Sequence, residues 1–502
     1  MKKYIMMMAA GLAALPILAQ ETYENAKLVE NDLNGTARYV GMGGAMEALG
    51  ADISTISTNP AGIGLFRKSM ANVSLGFVSQ QDAPDFGVGK KTYMSFDQIG
   101  FVVAMQSGPT SYVNFGFNYH KSKNFDYILG AADRLKDASQ QKVTYEKSKE
   151  GLLYEVDKNG NTLWDNYYNS CSQLDDMYAM NLTSFYDASS YSLDRSHTGY
   201  IGEYDFNVSG NANNRIFWGF TLGLHSVHYK HYGEYTENLV GYPDGSLTVT
   251  DERKIKGTGA DLKAGIIFMP IDESPFRVGL SVASPTWYNL TSSNYTAIGK
   301  DYRTDDYDFN LNMPWKFGVS LGHIIGGNLA LGLSYEYSDY SSIDTRIKKG
   351  DRNIHDSESD EVMNRHTQAS LRAVNTLKVG VEFKPVPEMA IRLGYNWVSP
   401  MYKKDAFKDG TLDSYGSLIS SATDFTNWKQ TNRITCGIGY QFDRNLNLAA
   451  AYQYSGRNGD FEPFASYVDN DHANHPEESN ICDVKGVSFK RHQLLVTATY
   501  TF

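Results

Sequence analysis

Three histidines, His225, His228 and His231, are spaced in a way that invites metal or haem chemistry. In a strand, His225 and His231 share one face while His228 points the other way. A rise of about 3.3 Å per residue then separates the same-face pair by roughly 20 Å, too far to chelate one ion. They read as polar positions at an interface or in a lumen, and no metal site is expected. Carboxylates cluster at Asp305, Asp306 and Asp308, and again at Asp356, Glu358, Asp360 and Glu361. Such groups suit hard cations, but a solvated loop explains them equally well. The run Gly41-Met42-Gly43-Gly44 lacks dinucleotide-loop spacing, since Met46 stands where the third glycine belongs. No Ser/His/Asp constellation has motif support, so no catalytic residue and no cofactor is expected. Asn59-Pro60-Ala61-Gly62 has the chemistry of a turn.

These residues need elements to hold them, and the chain supplies strands. Residues 1–19 combine Lys2 and Lys3 with an apolar core and Ala19, the pattern of a signal peptide. Residues 20–68 are rich in small residues without sustained periodicity. Beyond them no stretch approaches the roughly 20 apolar residues of a membrane helix. Alternation takes over instead. In the last segment Leu494, Val496, Ala498, Tyr500 and Phe502 share one face, and Gln493, Leu495, Thr497 and Thr499 the other. Comparable alternation recurs at 215–232, 327–341, 388–400 and 445–456.

Counting these segments predicts 14 strands, near 69–80, 92–106, 111–121, 198–210, 215–232, 252–269, 275–290, 302–322, 327–341, 368–384, 388–400, 430–443, 445–456 and 485–502. An even count fits a closed membrane barrel. Connections alternate strictly: short turns at 107–110, 211–214, 270–274, 323–326, 384–387 and 443–444, with longer polar ones between, the longest covering about 122–197. The predicted fold is all-β, a 14-stranded antiparallel transmembrane barrel over residues 69–502, with residues 20–68 as a plug in its lumen. Both termini are then expected on the short-turn, periplasmic side, in the outer membrane of a bacterium.

Composition agrees. A net charge of −11 argues against nucleic acid, which requires a basic face. Aromatic content of 13%, including 35 Tyr, suits aromatic girdles. Three Cys make no disulfide framework; Cys171 and Cys482 pair only if their loops meet. The inward charges Lys263, Arg277, Lys316, Glu336, Lys378, Glu382 and Arg392 are expected to form lumenal ion pairs and to anchor the plug.

With GMGGAMEALG before it and a 14-strand pattern after it, Asn59-Pro60-Ala61 resembles the hatch motif of the long-chain fatty acid transporter (FadL) family. SPTWYNL at 284–290, MPWKFGVSLG at 313–322, LALGLSYEYSDYS at 329–341, LKVGVEFKP at 377–385 and IRLGYNW at 391–397 extend the resemblance along the mature chain. It implies passive uptake of hydrophobic small molecules, such as long-chain fatty acids or aromatic hydrocarbons, and no enzyme activity. It also implies an apolar capture groove in the external segments. The candidates are Phe125, Tyr127, Ile128, Leu129, Met177, Tyr178, Met180, Leu182, Phe185 and Tyr186. Expected partners are the hydrophobic ligand, outer-membrane lipids and lipopolysaccharide, and the barrel assembly machinery that reads a last strand ending on an aromatic residue; the expected state is a monomer. A haem-binding surface receptor or an assembly partner on the same barrel is the competing reading.

Overall fold

A computed structural model of the chain describes residues 21–156, 158, 162–167, 170–179, 185–348, 357–469 and 476–502. The expected signal peptide lies outside the described residues. Fourteen antiparallel strands close into a barrel: β1 (Met70–Gln80), β2 (Thr92–Gln106), β3 (Tyr112–Asn124, then Tyr127–Ala138), β4 (Ala188–Ala212), β5 (Ile216–Leu239), β6 (Ser246–Phe268), β7 (Arg277–Ala283, then Trp287–Ile298), β8 (Asp301–Asn312, then Lys316–Ile325), β9 (Leu329–Asp339), β10 (Ala373–Val386), β11 (Met389–Val398), β12 (Thr431–Gln441), β13 (Leu446–Glu462) and β14 (Lys485–Thr501). Closure is made by β1 against β14, from Met70–Thr501 to Gln80–Arg491. Closing the ring in this way removes the sheet's two outer edges.

The two faces of the wall differ as alternation requires. Phe101, Phe206, Phe220, Leu333, Leu393 and Val496 are exposed on the outside. An apolar band of that extent is stable only against lipid. Inward positions carry Asn114, Thr221, Lys263, Lys378, Glu382, Arg392 and Thr497, all buried.

Three strands are broken. β7 and β8 are interrupted at 284–286 and 313–315, where Pro285 and Pro314 lack the N–H that a ladder needs. β3 is interrupted at Phe125–Asp126, yet both its pieces pair with β4. The longest connection therefore spans 139–187, not 122–197. Tyr127–Arg134 stays in register with Ser190–His197, so the wall continues past the aromatic run that resembled a loop. β4, β5 and β6 reach 25, 24 and 23 residues. A membrane requires only about 9–11, so these three strands project well beyond it on the long-loop side.

Residues 21–66 fill the lumen as a plug of short helical pieces. α1 (Thr22–Val29) and α2 (Ala37–Gly41) are followed by 3-10 turns at Ile53–Ser57 and Pro60–Leu65. Thr36, Asp52 and Asn59 each accept a backbone N–H as N-caps, which explains why polar residues stand at these buried positions. One expectation fails here. Thr22 contacts His366 and Thr367 of α5 (Glu361–Ser370), and Glu21 pairs with Lys408, so the described start of the chain lies at the long-loop end. Phe502 lies at the short-turn end, bonded to Ser69. The plug runs the length of the lumen, and its first helix packs Tyr23, Ala26, Leu28 and Val29 into the upper zone.

Candidate ligand path

The upper lumen is an apolar chamber. Tyr23, Ala26, Leu28 and Val29 of α1 pack among inward Tyr288, Phe309, Leu311, Met313, Tyr340, Val374 and Met401. Tyr23 stacks on Tyr402 with ring centroids 5.0 Å apart. A cavity of about 130 Å³ is bordered by Leu28, Val29, Met313 and Val398 and by His120, Glu203 and Lys263. Small-molecule sites usually run to about 300–1,000 Å³. Helix α1 thus occupies most of the room that a ligand would take.

The plug is held below by polar side chains of the wall. Arg38 donates to both oxygens of Glu382, at 2.9 and 3.0 Å, and Arg392 reaches the same carboxylate at 2.6 Å. Lys378 pairs with Glu47 at 2.7 Å, and Glu336 stands 3.7 Å from that ammonium. Arg277 donates to the Leu49 carbonyl. Asn114, Thr221, Asn396 and Thr435 donate to carbonyls of Ile63, Ile56, Gly43 and Gly41. Irregular backbone at membrane depth is tolerated only when satisfied in this way. Of the inward charges predicted to pair, Arg277, Lys378, Glu382 and Arg392 serve the plug, Lys263 pairs within the wall, and Lys316 borders the cavity.

Close packing explains the glycines. A side chain at Gly265 would collide with Asn59 Oδ1, and one at Gly394 with the Gly43 nitrogen. Asn59, Pro60, Ala61 and Gly62 are all buried, so the expected plug motif forms a capped turn seated on the wall. Gly43 and Gly44 have φ of +63° and +81°, a conformation open to glycine.

The wall has a split. β1 and β2 pair as far as Ser79–Thr92, but the β2–β3 ladder begins only at Gln98–His120. Asp97 is an extra residue in β2 against β1, and Ser122 an extra residue in β3 against β4. Two bulges on facing strands turn them apart, because each adds local twist and ends pairing. The plug spans the gap from inside. Asn34 donates to Asp97 and to the Lys121 carbonyl, the Asp32 N–H donates to the Ser122 carbonyl at 2.8 Å, and Asn124 N–H donates to Asp32 Oδ2 at 3.0 Å.

The predicted groove residues do not converge on one groove. Phe125 packs edge-on against Tyr229 inside the lumen, and Tyr127 stacks on His197. Phe125, Tyr127 and Leu129 border two smaller cavities of about 70 and 90 Å³. Ile128 is buried, its backbone held by Gln80. Tyr178 packs with Leu174 and Val249, Phe185 on Tyr145, and Tyr186 on Tyr242, while Met177 is half-buried beside Tyr178 in α4 (Gln173–Ala179). These belong to a folded cap that packs on itself. Met180 and Leu182 lie outside the described residues. Cys171 and Cys482 are free and buried in separate clusters.

His225 and His231 face inward and His228 outward. His225 Nε2 lies 3.0 Å from Asp261 Oδ2, and His231 bonds Asp251. The sequence reading missed His120, Glu203, Asp205 and Asp261, which gather around Lys263. Their signal was available: Glu203 and Asp205, like Asp261 and Lys263, are spaced by two, which puts each pair on one inward face.

No protein-family profile and no curated protein matches this sequence. Among solved structures, a Pseudomonas aeruginosa FadL homologue aligns with a TM-score of 0.54 at 13% identity, over 94% of this chain and 99% of that one. The Ralstonia pickettii toluene transporter TbuX aligns over the same shares at 12% identity, with a TM-score of 0.47. The Pseudomonas putida toluene transporter TodX does so at 11% identity and 0.48. Strand number, closure and lumenal plug together show that this chain has the FadL fold.

Proposed function

We propose that the protein is an outer-membrane channel for passive uptake of hydrophobic small molecules, such as long-chain fatty acids or aromatic hydrocarbons. The apolar chamber around Tyr288, Phe309, Leu311, Met313 and Val374 carries this reading. A channel for hydrophilic solutes keeps a polar, water-filled interior, whereas the upper lumen here gathers apolar side chains around α1. In this reading the long loops face outside, Phe502 and the short turns face the periplasm, and residues 20–68 act as a hatch. The ligand displaces α1, enters the chamber, and leaves sideways where β2 and β3 part. The protein acts as a monomer without a catalytic step.

Uptake of a labelled long-chain fatty acid and of labelled toluene by a deletion strain, with and without the restored gene, tests this. Restored uptake of either supports the channel. Equal uptake with and without well-expressed protein overturns it. Haem reception is less well supported, since Asp261 and Asp251 already engage Nε2 of His225 and His231.

A further inference from the structure

We propose that His120, Glu203 and Asp205 bind a divalent transition-metal ion of the zinc class in the lumen wall. Three observations converge on this. The first is charge. Glu203, Asp205 and Asp261 surround a single cation, Lys263, which lies 3.0 Å from Asp205 Oδ1 and 2.9 Å from Asp261 Oδ1 and also pairs with Glu203 Oε1. Three buried carboxylates outnumber the one ammonium, with the imidazoles of His120 and His225 beside them. Carboxylates buried in excess are costly unless a cation or a proton balances them. A divalent ion supplies that balance.

The second observation is spacing. His120 Nε2 stands 3.7 Å from Glu203 Oε2, and His120 Nδ1 stands 3.7 Å from Asp205 Oδ2. Both separations exceed hydrogen-bond length, about 3.2 Å at most. An ion can take only one nitrogen of the ring; the 3.7 Å from His120 Nε2 to Glu203 Oε2 approaches the spacing of two donors on one ion, because zinc sits about 2.0–2.2 Å from each. One donor atom from each of the three residues lies within 4.8 Å of the others.

The third observation is an orphan. Asp205 is fully buried and its Oδ2 has no hydrogen-bond partner, while Lys263 holds the other oxygen. Lys263 thereby turns one oxygen of Glu203 and one of Asp205 toward His120, the kind of outer-shell contact that aims metal ligands. His225 Nδ1 lies 3.9 Å from Glu203 Oε2. A set of imidazole and carboxylate donors favours zinc-like ions over magnesium or calcium, which prefer all-oxygen sites. Glu203 and His120 border the lumen cavity, which gives an ion a way in.

The test is titration of the detergent-solubilised, chelator-treated protein with Co2+, followed by its visible d–d absorption, and with Zn2+, followed by metal analysis. One ion per chain is expected. Binding should weaken by more than about 100-fold, the upper figure for losing outer-shell partners, in Asp205→Asn and His120→Gln. His228→Gln, on the outer face, should bind normally. Heat-modifiable migration confirms the folded barrel, and Glu203→Gln replaces any variant that fails it. No bound ion in the parent protein, or binding unchanged in folded Asp205→Asn and Glu203→Gln, overturns the proposal.

Discussion

Asn34 Nδ2 donates to Asp97 Oδ1 at 3.0 Å, joining the plug to the extra residue that parts β2 from β3. The same amide reaches the Lys121 carbonyl at 3.1 Å, so one side chain links both margins of the split. Asn34→Ala should loosen this link and leave the barrel intact. Under the proposed function, hydrophobic-probe uptake rises. A disulfide between cysteines placed at 34 and 97 should lower it, with recovery on reduction. Uptake indifferent to both changes would remove the split from the path.

Glu382 accepts from Arg38 of the plug and Arg392 of the wall. Glu382→Ala leaves the buried Arg392 and the half-buried Arg38 without their carboxylate, and a buried pair broken on one side loses about 3–5 kcal/mol. The plug should become mobile. Faster hydrogen exchange across Ala37–Gly41, with exchange in β10 to β12 unchanged, is the expected signature.

Gly394→Val tests the seat from the opposite direction. The added side chain meets the Gly43 backbone, and overpacking costs about 1–3 kcal/mol even where neighbours can shift. Protease should then cut within the plug of the variant and spare the parent. Equal resistance would show that the wall adapts.

Much of this architecture was legible in the residues. Leu494, Val496 and Tyr500 are exposed, and Gln493, Leu495 and Thr497 buried, as their alternation requires. Charges at inward positions such as Lys378 and Glu382 announced ion pairs because a carboxylate or ammonium facing lipid is expensive. The split was not legible. Asp97 and Ser122 are ordinary residues in their strands, and only the register of neighbouring ladders makes them bulges. The surroundings of the groove candidates were not legible for a related reason. Tyr127, Ile128 and Leu129 belong to a strand that outlasts the membrane, and sequence alone does not show where a wall stops.

In the long-loop cap, burial pushes the Glu146 carboxyl up to about 7, helped by Asp469, Glu150 and Glu478 against the pull of Lys149. The folded value lies above the unfolded one. The stabilising contribution is therefore complete below the unfolded value near 4.5 and is lost as pH rises through about 7. Hydrogen exchange in α3 (Gln140–Lys149), corrected for intrinsic rates, should be slower at about pH 5 than at about pH 8. Glu146→Gln should reduce the difference, the remainder belonging to Glu237, which accepts from the Gln140 N–H and is itself raised to about 7.

Cys171 and Cys482 are free, and burial raises the Cys482 thiol to about 11. Thiolate is the reactive form, so both should resist an aqueous thiol reagent until the protein is denatured. All three cysteines should then react without prior reduction. Two protected sulfurs that appear only after reductant would show a disulfide instead.

The seat of the plug also sets an order in time. Thr221 and Asn114, on strands made early, bind Ile56 and Ile63, whereas Thr435 and Thr497, on strands made late, bind Gly41 and Ala37. Ala37 and Thr497 are 460 positions apart. Ala37 and Gly41 are thus fixed late, waiting for β12 and β14, although Asp32 and Asn34 can already meet β2 and β3. Contacts so remote in sequence form slowly. Until that seam closes, the plug has half a seat, and its permanence is borrowed from the completed ring.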